Sequence, residues 1–106
     1  MSKETNRMLM EMERAMREIN RETIGAEFSK ITAENLRPVQ EMVAKTRANY
    51  LSHLFSTAEK LEGAALTPKQ IVELKTLRLT YEEALAGAQA LQTAISRGYL
   101  EVNEKK

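Results

Sequence analysis

Residues 63–68 separate two long runs of helix-forming sequence, and they are Gly63, Ala64, Ala65, Leu66, Thr67 and Pro68. Glycine readily adopts the left-handed backbone conformation that ends many helices, so we expect Gly63 to follow the end of a helix. Threonine before proline is typical of a helix start, because threonine caps the first turn and proline is tolerated at the first helical position. Since the connection is short, the sequence predicts an antiparallel hairpin of the two flanking helices.

The residues that follow this stretch predict a helix over about 68–100. Its apolar residues are spaced alternately three and four apart, which is the pattern of a coiled-coil seam. Small side chains in the middle of the seam permit close approach of a facing helix. The predicted helix-packing seam consists of Leu74, Leu77, Tyr81, Ala84, Ala88, Leu91 and Ile95.

The residues before the stretch predict a second helix over about 36–62. Asn35 is the expected cap, which puts Pro38 in the first turn, where a missing amide hydrogen costs little. The apolar residues of this helix cover a wide arc, with Leu51 and Phe55 on one side of it. An arc of that width indicates contact with two other helices, or with one helix and another subunit.

An N-terminal helix is predicted over about 5–23, with Ser2 or Thr5 as its cap. Apolar residues recur on it three and four apart and form one stripe, opposite a face of mixed charge. We expect a bend or stop at Gly25. The segment 26–35 is left open between a short helical turn and part of a long, kinked second helix.

The predicted fold is all-α: a long antiparallel hairpin of helices 36–62 and 68–100, joined by the helix 5–23 in a three-helix bundle with coiled-coil-like packing. A chain of 106 residues is long enough for one core and too short for several domains. We therefore expect a single helical domain over 1–106, with 103–106 frayed.

Composition excludes several classes of site and partner. The chain has no cysteine, so disulfides and thiolate metal sites are excluded. Its 16 Lys and Arg balance 15 acidic residues along the whole length, which argues against a nucleic-acid-binding face. No apolar run approaches the roughly 20 residues of a transmembrane helix, and no secretory signal pattern is present. The expected location is the cytoplasm.

No constellation of residues indicates catalysis, a cofactor site or a metal site. His53 is the only histidine, and it lies outside any His-x-x-Lys-Gly arrangement of the kind that phosphotransfer domains carry. The glycines are too far apart for a phosphate-binding loop, and no serine has a nucleophile-elbow context. The sequence therefore predicts a protein that is not an enzyme and that has no cofactor.

Function is expected to reside in the apolar helix faces. Methionine side chains are flexible and polarisable, and they recur at surfaces that accept partners; the alternative is that the N-terminal stripe packs on the second helix. The predicted partner-binding residues are Met8, Leu9, Met12, Met16, Ile19, Leu51 and Phe55. We expect a homo-oligomeric adaptor, chaperone or assembly subunit, with a dimer favoured and a protein or amphipathic peptide as client. The second possibility is a nucleic-acid-associated or regulatory helical oligomer.

Overall fold

The computed structural model describes residues 2–103 and contains three α-helices. They are α1 (Lys3–Glu27), α2 (Ala33–Leu61) and α3 (Pro68–Ser96). The all-α, three-helix prediction is confirmed, and the described residues contain no β-strand. These residues form two compact units: residues up to Asn35 with those from Leu91 onward, and Leu36–Ala90. The expected single domain, and the packing of the N-terminal helix along the hairpin, stay predictions.

In the second unit α2 and α3 pack against each other as an antiparallel pair, as predicted. Arg47 Nε donates a hydrogen bond to the Tyr81 hydroxyl at 3.0 Å, and His53 Nε2 lies 3.2 Å from Glu73 Oε2. From Arg47 to His53 the residue number in α2 rises, while the number of the contacting residue in α3 falls from Tyr81 to Glu73. The two helices are therefore antiparallel. The side chains buried in this unit are Thr57, Leu74 and Ala84.

The turn between these helices follows the prediction at Gly63 and Thr67, although α2 ends at Leu61 and Glu62 is left-handed as well, with a φ of +48°. Gly63 has a φ of +89°, in the left-handed region that favours glycine. The Gln70 amide donates to Thr67 Oγ1 at 3.2 Å, and the Thr67 amide donates to Gln70 Oε1 at 2.9 Å. This reciprocal capping box places Pro68 as the first residue of α3, where its missing amide hydrogen leaves no partner unsatisfied.

The second helix begins three residues earlier than the predicted start at residue 36. Thr32 caps it: the Asn35 amide donates to Thr32 Oγ1 at 3.3 Å, and the Thr32 amide donates to Asn35 Oδ1 at 2.9 Å. Asn35 is therefore inside the helix rather than its cap, and Pro38 is the sixth residue of a helix that begins at Ala33. At that position proline removes one intrahelical hydrogen bond, and α2 continues past it.

The first helix begins two residues before the predicted start at residue 5 and ends four residues after the predicted end at residue 23. Ser2, one of the two predicted caps, caps it, since Ser2 Oγ accepts from the Thr5 amide at 3.0 Å. The helix does not stop at Gly25, because α1 runs through Gly25 to Glu27. A Cβ on Gly25 would lie 3.6 Å from the Tyr99 carbonyl oxygen, an ordinary contact distance, so the backbone at Tyr99 lies close to α1 there.

The third helix ends at Ser96 rather than near residue 100. Gly98 has a φ of +74°, and its amide donates to the Ile95 carbonyl at 3.0 Å. The Tyr99 amide donates to the Ala94 carbonyl at 2.8 Å. These two bonds form a Schellman motif, which satisfies the last carbonyls of the helix and reverses the chain.

The chain after α3 pairs with the segment before α2 and closes the first unit. The Ile31 amide donates to the Glu101 carbonyl at 3.0 Å, and the Asn103 amide donates to the Ile31 carbonyl at 2.8 Å. These bonds form an isolated parallel bridge between Ile31 and Val102. The buried side chains of this unit are Ile31, Ala94, Tyr99 and Leu100. Fraying of 103–106 stays a prediction, since 104–106 lie outside the described residues.

Candidate functional site

The apolar stripe of α1 is open to solvent along its whole length. We define the α1 stripe as Met8, Leu9, Met12, Met16 and Ile19, five of the predicted partner-binding residues. Each of these side chains is between 42% and 59% exposed. No residue of α1 is buried, although the helix has 25 residues. An apolar stripe on an isolated helix face is normally covered in the working protein, because burial is what stabilises it.

The contacts of α1 within its own unit reach one edge of the stripe. Asn20, Ile24 and Gly25 are its half-buried residues. Asn20 hydrogen-bonds with the Tyr99 side chain, and Gly25 lies next to the Tyr99 carbonyl. At about 100° per residue Asn20 lies next to Met16, which lines a pocket with Tyr99, while Ile24 and Gly25 lie further round the helix. The unit therefore touches one edge of the α1 stripe and leaves the rest of it uncovered.

Tyr99 is the centre of the small polar cluster that holds α1. Its side chain is buried, and its hydroxyl is hydrogen-bonded by the Arg97 side chain and by the Asn20 side chain. These hydrogen bonds, together with the positive charges of Arg97 and Arg17, lower the pKa of Tyr99 below its ordinary value of 10.0. The sequence did not predict this cluster, because nothing near Tyr99 in the chain indicates that Arg17 and Asn20 come close to it.

A cavity next to this cluster has lining groups of both signs. Arg21, Lys30, Tyr99 and Glu101 are among its lining residues, and Lys30 Nζ lies 4.0 Å from Glu101 Oε2. Because Glu101 pairs with Lys30, Arg21 is the one lining cation left to attract an anion, and a single cation does not make a phosphate site. We assign it no ligand.

The other predicted partner-binding residues, Leu51 and Phe55, lie on α2 in the second unit. Their side chains are 42% and 69% exposed, and Leu54 beside them is 39% exposed. We call these three residues the α2 patch. The α2 patch lies on the side of the hairpin that is away from the contact between α2 and α3. Phe55 is the most exposed of its three residues.

The predicted seam residues occupy the inner side of α3. Leu74 and Ala84 are buried, while Leu77, Tyr81 and Ala88 are half-buried in the hairpin. Leu91 and Ile95, also half-buried, belong to the first unit. The structure thus divides the seam between the two units, which its regular spacing did not indicate.

An apolar groove runs along the hairpin between α2 and α3. The sequence did not predict it. It is lined by Met42, Thr46, Leu79, Thr80, Glu83 and Ala84. Met42 and Leu79 are about half exposed there. The available signal was weak: Met42 projects to one side of the wide α2 arc, and Leu79 flanks the α3 seam.

His53 and the glutamates of the described residues do not gather into a metal-binding cluster. His53 lies at the edge of the helix interface with its side chain 36% exposed, and its one close partner is Glu73. Within residues 2–103, no group of three or more His or Glu side chains is placed to hold a metal ion. None of the helices in that part of the chain combines the length and the apolar character needed to cross a membrane.

Comparisons of the chain with protein-family models, with curated proteins and with solved structures find no match.

Proposed function

We propose that this protein is a small, non-enzymatic helical interaction module of the cytoplasm, an adaptor, chaperone or assembly subunit that self-associates. One observation supports the proposal above all. The seven partner-binding residues predicted from sequence are between 42% and 69% exposed, although all are large and apolar. Five of them form the α1 stripe and two belong to the α2 patch.

Covering the α1 stripe and the α2 patch matters for stability because a single copy of the chain buries few side chains. No side chain in the described residues is fully buried. A domain of about 100 residues normally gains only about 5–15 kcal/mol from folding, and that gain depends on its buried apolar surface. Covering the α1 stripe and the α2 patch would add the burial that a single copy lacks, so association stabilises the folded helices.

The α2 patch is best covered by a second copy of the chain. Two helices cannot enclose their own apolar sides, whereas two hairpins packed face to face form a four-helix bundle with coiled-coil-like packing. In a two-fold dimer the same patch meets itself, so Leu51 and Phe55 of each copy would face apolar residues of the other. The product is a homodimer in which each hairpin covers the open side of its partner.

Size-exclusion chromatography with light scattering tests the self-association. At micromolar concentration we expect a mass of about twice the 12.0 kDa of one chain. The double change Leu51→Glu with Phe55→Glu places two carboxylates in the interface and should give the monomer mass, because burying an unpaired charge is costly.

Val72→Glu is the matched control for this experiment. Val72 is 63% exposed on α3, on the side away from α2, so the same kind of change there should leave the dimer intact. A monomer mass for the unchanged protein at high micromolar concentration contradicts self-association. Equal loss of the dimer in the control contradicts the assignment of the interface to the α2 patch.

A further inference from the structure

Charges on α1 are sorted by their position around the helix, and the sorting identifies the kind of partner that fits the α1 stripe. Glu4, Glu11 and Glu18 recur every seven residues, and so do Arg7, Arg14 and Arg21. Taken at about 100° per residue, the three glutamates lie about 90–130° from the axis of the stripe. The three arginines lie about 140–180° from it, on the far side of the helix.

The remaining charged residues of α1 follow the same division. Glu13 and Glu22 lie about 90° from the axis and also border the stripe, whereas Lys3 lies on the far side. Arg17 lies about 130° from the axis, and with Arg97 it lines a pocket beside Glu13 and Met16. The charged side chains within about 110° of the axis are therefore carboxylates, and the nearest cations lie beyond Glu13 on one side. This arrangement leaves the borders negative although the helix as a whole is nearly neutral.

The border carboxylates form no ion pair within residues 2–103, although Glu13 lines a pocket with Arg17 and Arg97. The ion pairs formed among residues 2–103 involve Glu41, Glu73, Glu82 and Glu101, and none involves a glutamate of α1. All five border glutamates are exposed. They are available to meet positive charges that a docked molecule brings to the edges of the stripe.

A second copy of α1 is a poor occupant for this surface. Antiparallel pairing of two α1 stripes would place the border of Glu4, Glu11 and Glu18 against the same border of the other copy, with like charges facing each other. Parallel pairing would place these glutamates opposite the edge of Leu9 and Met16, where the first charged residue round the helix is Glu13 and Arg17 lies further from the stripe. A lipid surface fits no better, because helices that lie on anionic membranes border their apolar face with Lys and Arg.

We infer that the α1 stripe, bordered by Glu11, Glu18 and their neighbours, docks an amphipathic helix of a partner protein whose apolar face is bordered by Lys or Arg. The partner's apolar residues cover Met8, Met12 and Ile19, and its cations meet the border glutamates. This inference rests on the proposed function, since it specifies the client of the interaction module. Three to four turns of partner helix match the length from Met8 to Ile19 at about 1.5 Å per residue.

Binding of two designed peptides to the full chain tests the inference. Both peptides carry the same apolar face over about three heptads; one has lysine and the other glutamate at every border position. Fluorescence anisotropy should show the lysine peptide binding about tenfold or more tightly, since each exposed charge pair changes affinity about two- to fivefold. The preference should shrink at high salt because surface charges are then screened.

Substitutions in the chain give the reciprocal result. Glu11→Lys with Glu18→Lys should reverse the preference, so that the glutamate peptide binds more tightly. Glu59→Lys with Glu62→Lys makes the same change in net charge at exposed positions near the end of α2 and in the turn after it, and this control should keep the preference for the lysine peptide. Met12→Glu should abolish binding of both peptides, with unchanged helicity in circular dichroism because Met12 is exposed.

The outcomes separate this inference from the proposed function. Equal binding of both peptides, lost in Met12→Glu, overturns the charge preference and keeps the α1 stripe as a docking surface. Binding of neither peptide overturns the inference, and a monomer mass in light scattering then removes the proposed function as well. A dimer that Met12→Glu dissociates makes a second copy the occupant. Binding to vesicles of anionic lipid that Met12→Glu removes makes a membrane the occupant.

Discussion

Replacement of Leu74 by alanine measures how much the contact between α2 and α3 stabilises the protein. Leu74 is 8% exposed and lies on the inner side of α3. The change deletes three carbon atoms of a nearly buried side chain, each worth about 0.8 kcal/mol of transfer free energy. The transfer contribution is therefore about 2 kcal/mol, and a residual cavity raises the cost of a buried Leu→Ala change to as much as about 5 kcal/mol.

The lower part of that range is expected here. The interface consists of two helices with open sides, so neighbouring side chains and water can fill the space left by Leu74. We expect a loss of about 2–3 kcal/mol in the free energy of unfolding. Urea denaturation followed by circular dichroism gives this quantity, provided that both proteins are compared at the same concentration, because self-association shifts apparent stability.

Val72→Ala is the matched control for this measurement. Val72 is two residues away on the same helix, but its side chain is 63% exposed. Its replacement should change the free energy of unfolding by no more than about 0.5 kcal/mol. If Leu74→Ala costs no more than Val72→Ala, then Leu74 does not face α2, and the packing of the hairpin described above is wrong.

Three further predictions concern the glycines and the Tyr99 cluster. Gly87 lies within α3, and a Cβ there meets nothing within 4 Å; Gly87→Ala should raise the free energy of unfolding by up to about 1 kcal/mol in urea denaturation, and destabilisation would show a hidden contact. Gly98→Ala should lower it by about 1–2 kcal/mol, because φ is +74° there; no loss would mean that α3 ends differently. Arg97→Gln should raise the pKa of Tyr99, which is lowered by its hydrogen bond with Arg97. Absorbance of tyrosinate during alkaline titration measures this pKa, with Tyr99→Phe identifying the signal. Since the folded-state pKa lies below the unfolded one, the stabilisation from Tyr99 ionisation is complete above the unfolded value of about 10 and lost as pH falls through the folded value. An unchanged titration in Arg97→Gln would contradict the contact.

Helix signals that involve neighbours in the chain could be identified from the sequence. Thr67 and Gln70 are three residues apart and cap α3 without help from the rest of the molecule. Ser2 caps α1 through a residue three positions away, and Gly63 ends the turn after α2 through its own backbone conformation. The composition, rich in helix formers, was enough to predict an all-α protein. The short connection at 63–68 predicted the antiparallel hairpin.

Boundaries that depend on distant residues could not be predicted in this way. Gly25 resembles a helix stop, yet α1 continues past it beside the Tyr99 carbonyl, which is far away in the chain. The regular three and four spacing continues through Gly98, so the pattern extends the third helix, whereas Gly98 adopts a left-handed conformation and ends it. Thr32 could have been identified as a cap from its spacing to Asn35, but Pro38 favoured a later start.

The candidate site shows the same division. Periodicity by itself determined which residues of α1 and α2 form apolar faces, because side chains three and four apart necessarily share one side of a helix. Periodicity could not determine which of those faces stays uncovered, because burial depends on what packs against each side. The tertiary structure decided this point: the turn at 97–103 meets α1 at one edge of the stripe, where Tyr99 contacts Asn20, and the side chains of the α1 stripe stay exposed.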